Sequence, residues 1–176
     1  PMDGTSEGGF SGRTDARQIN ASSYVNNCFD LRVGNYSPAS ITGYNLWENY
    51  YKAIAHCTLI IENIHLDVED NDMVRSYVEA EARFMRAYYY FLLFRTYGPV
   101  IIWGDKPAPS DIKGETLDRN TLEDNINFIV SELDKAIAVL PVKLSEVLAE
   151  DSNMGRPTKG AALALKSRVL LYAASP

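Results

Sequence analysis

The chain has 176 residues, 46% hydrophobic and 23% charged, with a formal net charge of −6. That length and composition fit one folded domain, or several stacked helical pairs, and argue against wholesale disorder. The acidic balance argues against nucleic acid as a main partner, because phosphate contacts want Lys and Arg, and no apolar run approaches the roughly 18 residues of a membrane span.

Residues 1 to about 45 are rich in Gly, Ser, Asn and Thr, with single aromatics at Phe10, Tyr24, Phe29, Tyr36 and Tyr44. A short helical turn is possible around 16–25, but turn formers dominate near Gly34-Asn-Tyr-Ser-Pro38, so the segment reads as irregular. From Leu46 the register changes. Leu46, Tyr50, Ala53, Cys57, Ile60 and Ile64 recur at three and four, which predicts a helix over about 46–65. The acidic run Asp67–Asp72 then makes a solvated turn and is expected to cap the next helix near Asp72.

That second helix, about 73–97, is the central one. Ala80, Phe84, Ala87, Phe91 and Phe94 form one apolar line, and Met85, Tyr88 and Leu92 form another, so its C-terminal half is apolar nearly all round. Glu79 and Arg83 are placed to pair four residues apart, and Gly98-Pro99 ends the helix. Tyr88, Tyr89 and Tyr90 cannot all face one core, so at least one hydroxyl needs a polar partner or a second helix layer. The apolar run Val100–Trp103 leads to prolines at 107 and 109, which predicts an extended crossing segment. Thr121-Leu-Glu-Asp124 fits a capping box for a third helix whose apolar face is Leu122, Ile126, Ile129, Leu133, Ile137 and Leu140. After a loop over 142–155, a fourth helix opens near Pro157 and runs from Thr158 to about Ala174, with Ala161, Ala162, Ala164, Ala173 and Ala174 allowing close helix approach. The fold class is therefore all-α: tetratricopeptide-like stacked helical pairs with long irregular loops, although no strict 34-residue self-match is present. The expected division is an irregular segment over 1–45 and a helical core over 46–176.

Catalytic and metal motifs are weak. His56 and His65 share no helix face and fit no HExxH pattern, and the acidic run 67–72 lacks the glycine and terminal glutamate of a calcium loop. Cys28 and Cys57 give neither a disulfide framework nor a metal pattern, and two free, semi-buried thiols are the preferred reading. Asn20-Ala-Ser22 and Asn35-Tyr-Ser37 match glycosylation acceptors, a frequent chance pattern. No catalytic residue, metal ligand or cofactor is expected.

Four blocks, in order, carry a family resemblance: Trp47-Glu-Asn-Tyr50 through Cys57 to Ile64, Glu79 to Phe91 closing on Tyr97-Gly-Pro, Ile129 to Ile137 closing on Leu140-Pro141, and Gly155-Arg-Pro-Thr through Tyr172-Ala-Ala-Ser. Together they resemble the SusD/RagB family of outer-membrane nutrient-binding lipoproteins, over most of 46–176. The departures are Thr58 where the family usually has Asn, and Glu132 where it has Asp. Both fall on helix packing. The resemblance implies a longer parent, of which this chain is the N-terminal part and whose C-terminal part is absent, anchored by a lipid outside this fragment. It also implies a role at the outer-membrane surface: capturing oligosaccharide or another nutrient for a SusC-like TonB-dependent transporter.

Sugar rings present flat C–H faces that stack on exposed aromatic rings, while their hydroxyls need amide or carboxylate partners. Loops satisfy that better than helix faces. The candidate ligand residues are therefore Asn35, Tyr36, Tyr44, Asn45 and Trp103, with packing of each ring onto the helices as the competing reading. Trp47, Tyr50 and Tyr51 sit at helix spacing and are expected in the core. The alternative function is a tetratricopeptide-like adaptor for protein partners, which predicts an exposed groove lined by residues such as Arg83, Arg86 and Arg95.

Overall fold

A computed structural model describes residues 46–66, 71–106, 117–143 and 155–175. Among them are four α-helices and no strand: α1, Leu46–Asn63, followed by a 3-10 turn Ile64–Leu66; α2, Asp72–Tyr97; α3, Leu122–Val139; and α4, Lys159–Ala173. The irregular segment expected over 1–45 lies outside the described residues, as do Asp67–Asp70 of the acidic run.

The caps explain the helix limits. Asn71, one residue before the expected cap Asp72, accepts from the amides of Met73 and Val74 and so starts α2. Gly98 ends it at φ 72°, a left-handed value that a side chain would strain, and its N–H reaches the Phe94 carbonyl at 2.9 Å. The Thr121–Asp124 capping box forms in full, with both backbone amides satisfied reciprocally. Thr158 caps α4, which puts Pro157 ahead of the cap instead of inside the first turn.

Ring and ion-pair contacts fix the stacking. Trp47 meets Tyr97, Tyr51 meets Tyr90 and Thr58 meets Arg86, so α1 and α2 run antiparallel. Arg86 meets Glu132 while Tyr90 meets Phe128, which makes α2 and α3 antiparallel. Asp134 pairs with Lys166, and Lys159 N–H bonds the Pro141 carbonyl, which reverses the chain again into α4. Arg156 reaches Glu81 at one end and Tyr172 packs on Phe91 and Phe94 at the other, so α4 runs parallel to α2. This alternation is the tetratricopeptide-like pair arrangement.

Of the apolar line on α2, Ala80, Ala87, Phe91 and Phe94 are buried and Phe84 is half-buried. All but Ala80 pack with Ile54 of α1, Ile129 and Leu133 of α3, and Leu165 and Val169 of α4. Burying each such side chain contributes about 1.5–3 kcal/mol before the entropy of ordering it is subtracted. Three residues of the expected apolar lines are solvent-exposed: Ile60 on α1, Tyr88 on α2 and Leu122 in the first turn of α3. Of the α4 alanines only Ala162 is fully buried, against Tyr77, Ala80, Ala136 and Leu140; Ala161, Ala164 and Ala174 are exposed. Cys57 is a free, buried thiol, and Cys28 lies outside the described residues.

Candidate functional site

The candidate site is built on the segment Val100–Lys106 that crosses between α2 and α3. An extended stretch outside a sheet must find partners for its amides elsewhere, because an unpaired buried N–H costs free energy. Side chains from three helices and the approach to α3 supply them in sequence. Val100 N–H bonds Asn125 Oδ1, Ile101 N–H bonds the Tyr51 hydroxyl, Ile102 N–H bonds Asn120 Oδ1, and Trp103 N–H bonds the Tyr90 hydroxyl, all between 2.8 and 3.2 Å. Tyr51 also donates to the Ile101 carbonyl at 2.9 Å, so one hydroxyl holds both polar groups of that residue. Burial raises the Tyr51 and Tyr90 phenols above their ordinary value, which keeps both hydroxyls neutral and able to donate.

The far end of the segment is held by Arg86. Its side chain is fully buried, and all five guanidinium donors are used: Nε on Glu132 at 2.9 Å, one terminal nitrogen on Thr58 and the Gly104 carbonyl, the other on Glu132 and Asp105. Phe128 lies under the same cation at 5.6 Å. Glu132, equally buried, also takes Arg83 at 3.1 Å and Lys135 at 3.0 Å, while Arg83 holds Glu79 as the sequence predicts. Burial works against the Arg86 cation, but Asp105 and Glu132 more than offset it, and its pKa is raised. Both departures from the family pattern, Thr58 and Glu132, are thus packing positions on one arginine.

This corrects the expected adaptor surface. Arg86 is interior and Arg83 mostly so; only Arg95 of the three is exposed, so the three share no open groove. The spacing carried a signal for it. Glu79, Arg83, Arg86 and Tyr90 recur at four, three and four, a polar stripe beside the apolar line that faces α3.

Alongside the crossing segment, α1 opens a groove of about 380 Å³. Trp47, Tyr51, Ile54, Ala55 and Thr58 line it from the helix, at spacings that put them on one face, and Ile101, Trp103 and Lys106 line it from the segment. Glu48 and Lys52, paired at 2.6 Å, stand at its rim. Trp47 is steadied by Tyr97 edge-on at 5.2 Å and by the Arg119 guanidinium over its ring at 5.3 Å. The result is a largely apolar trough with an indole from each wall and ammonium groups at its edge. It can accept a flat apolar face with polar groups around it.

Of the sequence candidates, the structure places Trp103 in this groove, half-buried and with its amide fixed. Asn35, Tyr36, Tyr44 and Asn45 lie outside the described residues. Trp47 and Tyr51, expected in the core, do pack there and also line the groove. Their recurrence at 47, 51, 54 and 58 on one face was the available signal. His56 and His65 are exposed, and among the described residues no group of three or more His, Cys, Asp or Glu is placed to hold a metal ion.

Comparison with known proteins agrees with the helical blocks. Residues 9–171 match the SusD-like family described as starch-binding and associating with the outer membrane. A SusD-like protein of Bacteroides ovatus is 29% identical over 127 residues, which is 71% of this chain and 21% of that protein. The crystal structure of a SusD-like protein from Bacteroides fragilis superposes with a TM-score of 0.63 at 34% identity, covering 73% of this chain and 23% of that one. A crystal structure solved with a xylogluco-oligosaccharide superposes with a TM-score of 0.55 at 26% identity, covering 76% and 24%. The chain thus spans about a fifth to a quarter of the relatives it matches. With the family pattern running through nearly its whole length and the same helical stack in the solved relatives, the chain belongs to the SusD-like family.

Proposed function

We propose that the protein is a nutrient-capture component at the outer-membrane surface, which binds oligosaccharide without turning it over and delivers it to a SusC-like TonB-dependent transporter. In this reading it is held to the membrane by a lipid anchor outside the chain described. The helical stack is scaffold that also gives the groove its α1 wall, and the ligand contacts from the loops it holds apart are Trp103, with Asn35, Tyr36, Tyr44 and Asn45 as the remaining candidates. The division into an irregular segment over 1–45 and a helical core over 46–176 belongs to the same reading.

The observation that supports it most is the groove beside α1, where Trp47 and Trp103 line an apolar trough within a chain of this family. A pyranose ring offers the matching shape, with a C–H face for stacking and equatorial hydroxyls within reach of Lys52, Lys106 and Glu48. Solution of a 26%-identical relative with a xylogluco-oligosaccharide points to the same class of ligand.

The test is a glycan array followed by calorimetric titration with the full-length protein, with a transporter pull-down from outer membranes in parallel. Saturable binding of at least one oligosaccharide, without its hydrolysis, and co-purification of a barrel transporter are the expected results. Absence of any saccharide binding, together with unchanged growth of a deletion strain on all glycans, would sink the reading.

A further inference from the structure

The crossing segment is anchored in two unequal halves. Its first four amides are tied by neutral side chains of three helices and of the approach to α3, in a partly buried setting. Residues 104–106, which include the groove-lining Lys106, are tied among the described contacts through Arg86, by its bond to the Gly104 carbonyl at 3.0 Å and to Asp105 at 2.6 Å. Arg86 needs no help from Asp105 to stay in place. Its remaining bonds to Glu132 and Thr58 are buried, and its side chain has no exposed surface. Asp105 is different: its side chain is 65% exposed, so the pair joins a fixed buried cation to an acid that water can reach. Arg83, 3.8 Å away, adds a second cation on the same side.

We propose that Asp105 is a positioning residue for the groove: by gripping Arg86 from the end of the crossing segment, it holds the Trp103 wall where a ligand ring would stack. Only its last step, the effect on saccharide affinity, rests on the binding function proposed above. The grip suits this task because it is stiff on one side and replaceable on the other. Losing it loosens the stretch just past the Trp103 amide, residues 104–106, without leaving a buried charge unpaired, since Arg86 keeps Glu132; the Tyr90 bond to that amide and the Arg86 bond to the Gly104 carbonyl are untouched. The neighbouring anchors at Val100 and Ile101 stay intact, so the release is local and confined to one wall of the groove.

The experiment is hydrogen exchange by mass spectrometry on the full-length protein, wild type against Asp105→Asn, Asp105→Ala and Asp105→Glu, with saccharide affinity measured on the same samples. In the Asn and Ala variants, exchange in the peptide covering 100–106 rises about two- to fivefold, the range expected from losing a partly exposed ion pair, while α2 and α3 keep wild-type protection. The Glu variant restores part of the protection, because its carboxylate can still reach Arg86. Affinity for the bound oligosaccharide falls by a similar factor in Asn and Ala and recovers in Glu. Unchanged exchange in 100–106 overturns the proposal, whatever the affinity does. Raised exchange with unchanged affinity overturns the assignment of the groove wall to the ligand. Raised exchange in a wild-type background that binds no saccharide keeps the positioning role and removes the function proposed above.

Discussion

The α2–α3 seam and the α1 groove both border the same crossing segment, yet they treat their side chains in opposite ways. In the seam every donor of Arg86 has an acceptor, and Glu132 is surrounded by three cations. In the groove, Trp47 and Trp103 are only half-buried and line open space. A saturated buried network does little for recognition but enforces one register between helices, whereas an incompletely packed aromatic wall sacrifices some packing and keeps surface for a ligand. If the groove takes the ligand as proposed, stability and binding fall to different residues a few positions apart in sequence. Mutations should separate them.

The largest effect is expected at the seam. Arg86→Ala or Glu132→Ala leaves its partner charged and buried, and each should lower unfolding free energy by about 3–5 kcal/mol in urea denaturation. Replacing both, Arg86→Met with Glu132→Leu, should cost clearly less than the sum of the singles; additive losses would show that the two do not form one unit. Next come the hydroxyls that hold the segment. Tyr90→Phe strands the Trp103 amide and Tyr51→Phe strands both polar groups of Ile101, so each should cost about 1–3 kcal/mol, read in the same assay.

A smaller effect depends on pH. The hydrogen bond from Arg86 holds the Asp105 carboxyl below its ordinary value of 3.8. A depressed acid stabilises the fold above its unfolded value and loses that contribution as pH falls through the folded one. Wild type should therefore lose protection at 100–106 below about pH 4, beyond the intrinsic change in exchange rate, and Asp105→Asn should not. The smallest concerns Cys57, whose thiol is pushed up to about 11 chiefly by burial. Iodoacetamide should label it negligibly at pH 7 and increasingly toward pH 11, with peptide mapping as the readout. Rapid labelling at neutral pH would mean that the α1–α2 contact opens readily.

Helix placement was legible because periodicity, Gly98-Pro99 and the Thr121 box are local signals, and local rules decide them. Cap identity was legible only to within a residue: both Asn71 and Asp72 can cap, and the choice depends on which one takes the extended backbone. Arg86 was misplaced because an arginine on a long helix reads as solvated until a buried acid is brought opposite it, and Glu132 lies 46 residues away in sequence. The groove escaped for a related reason. Trp47 and Tyr51 show the spacing of a core face, and only the path of 100–106 decides that this face is partly open. Trp103 was within reach, since a single indole in a Gly- and Pro-flanked segment has few places to hide. On α4, Leu163, Leu170 and Leu171 continue the all-round apolar pattern of α2 but face solvent among the described residues, so the pattern alone overstates burial there.

Whether Trp103 stacks on the ligand is tested most directly by calorimetric titration of the full-length protein and its Trp103→Ala variant with the best-binding oligosaccharide from an array. Binding by the variant should be about tenfold weaker, equivalent to about 1.4 kcal/mol, with a melting temperature within a few degrees of wild type. Equal affinity in the two proteins would contradict the stacking.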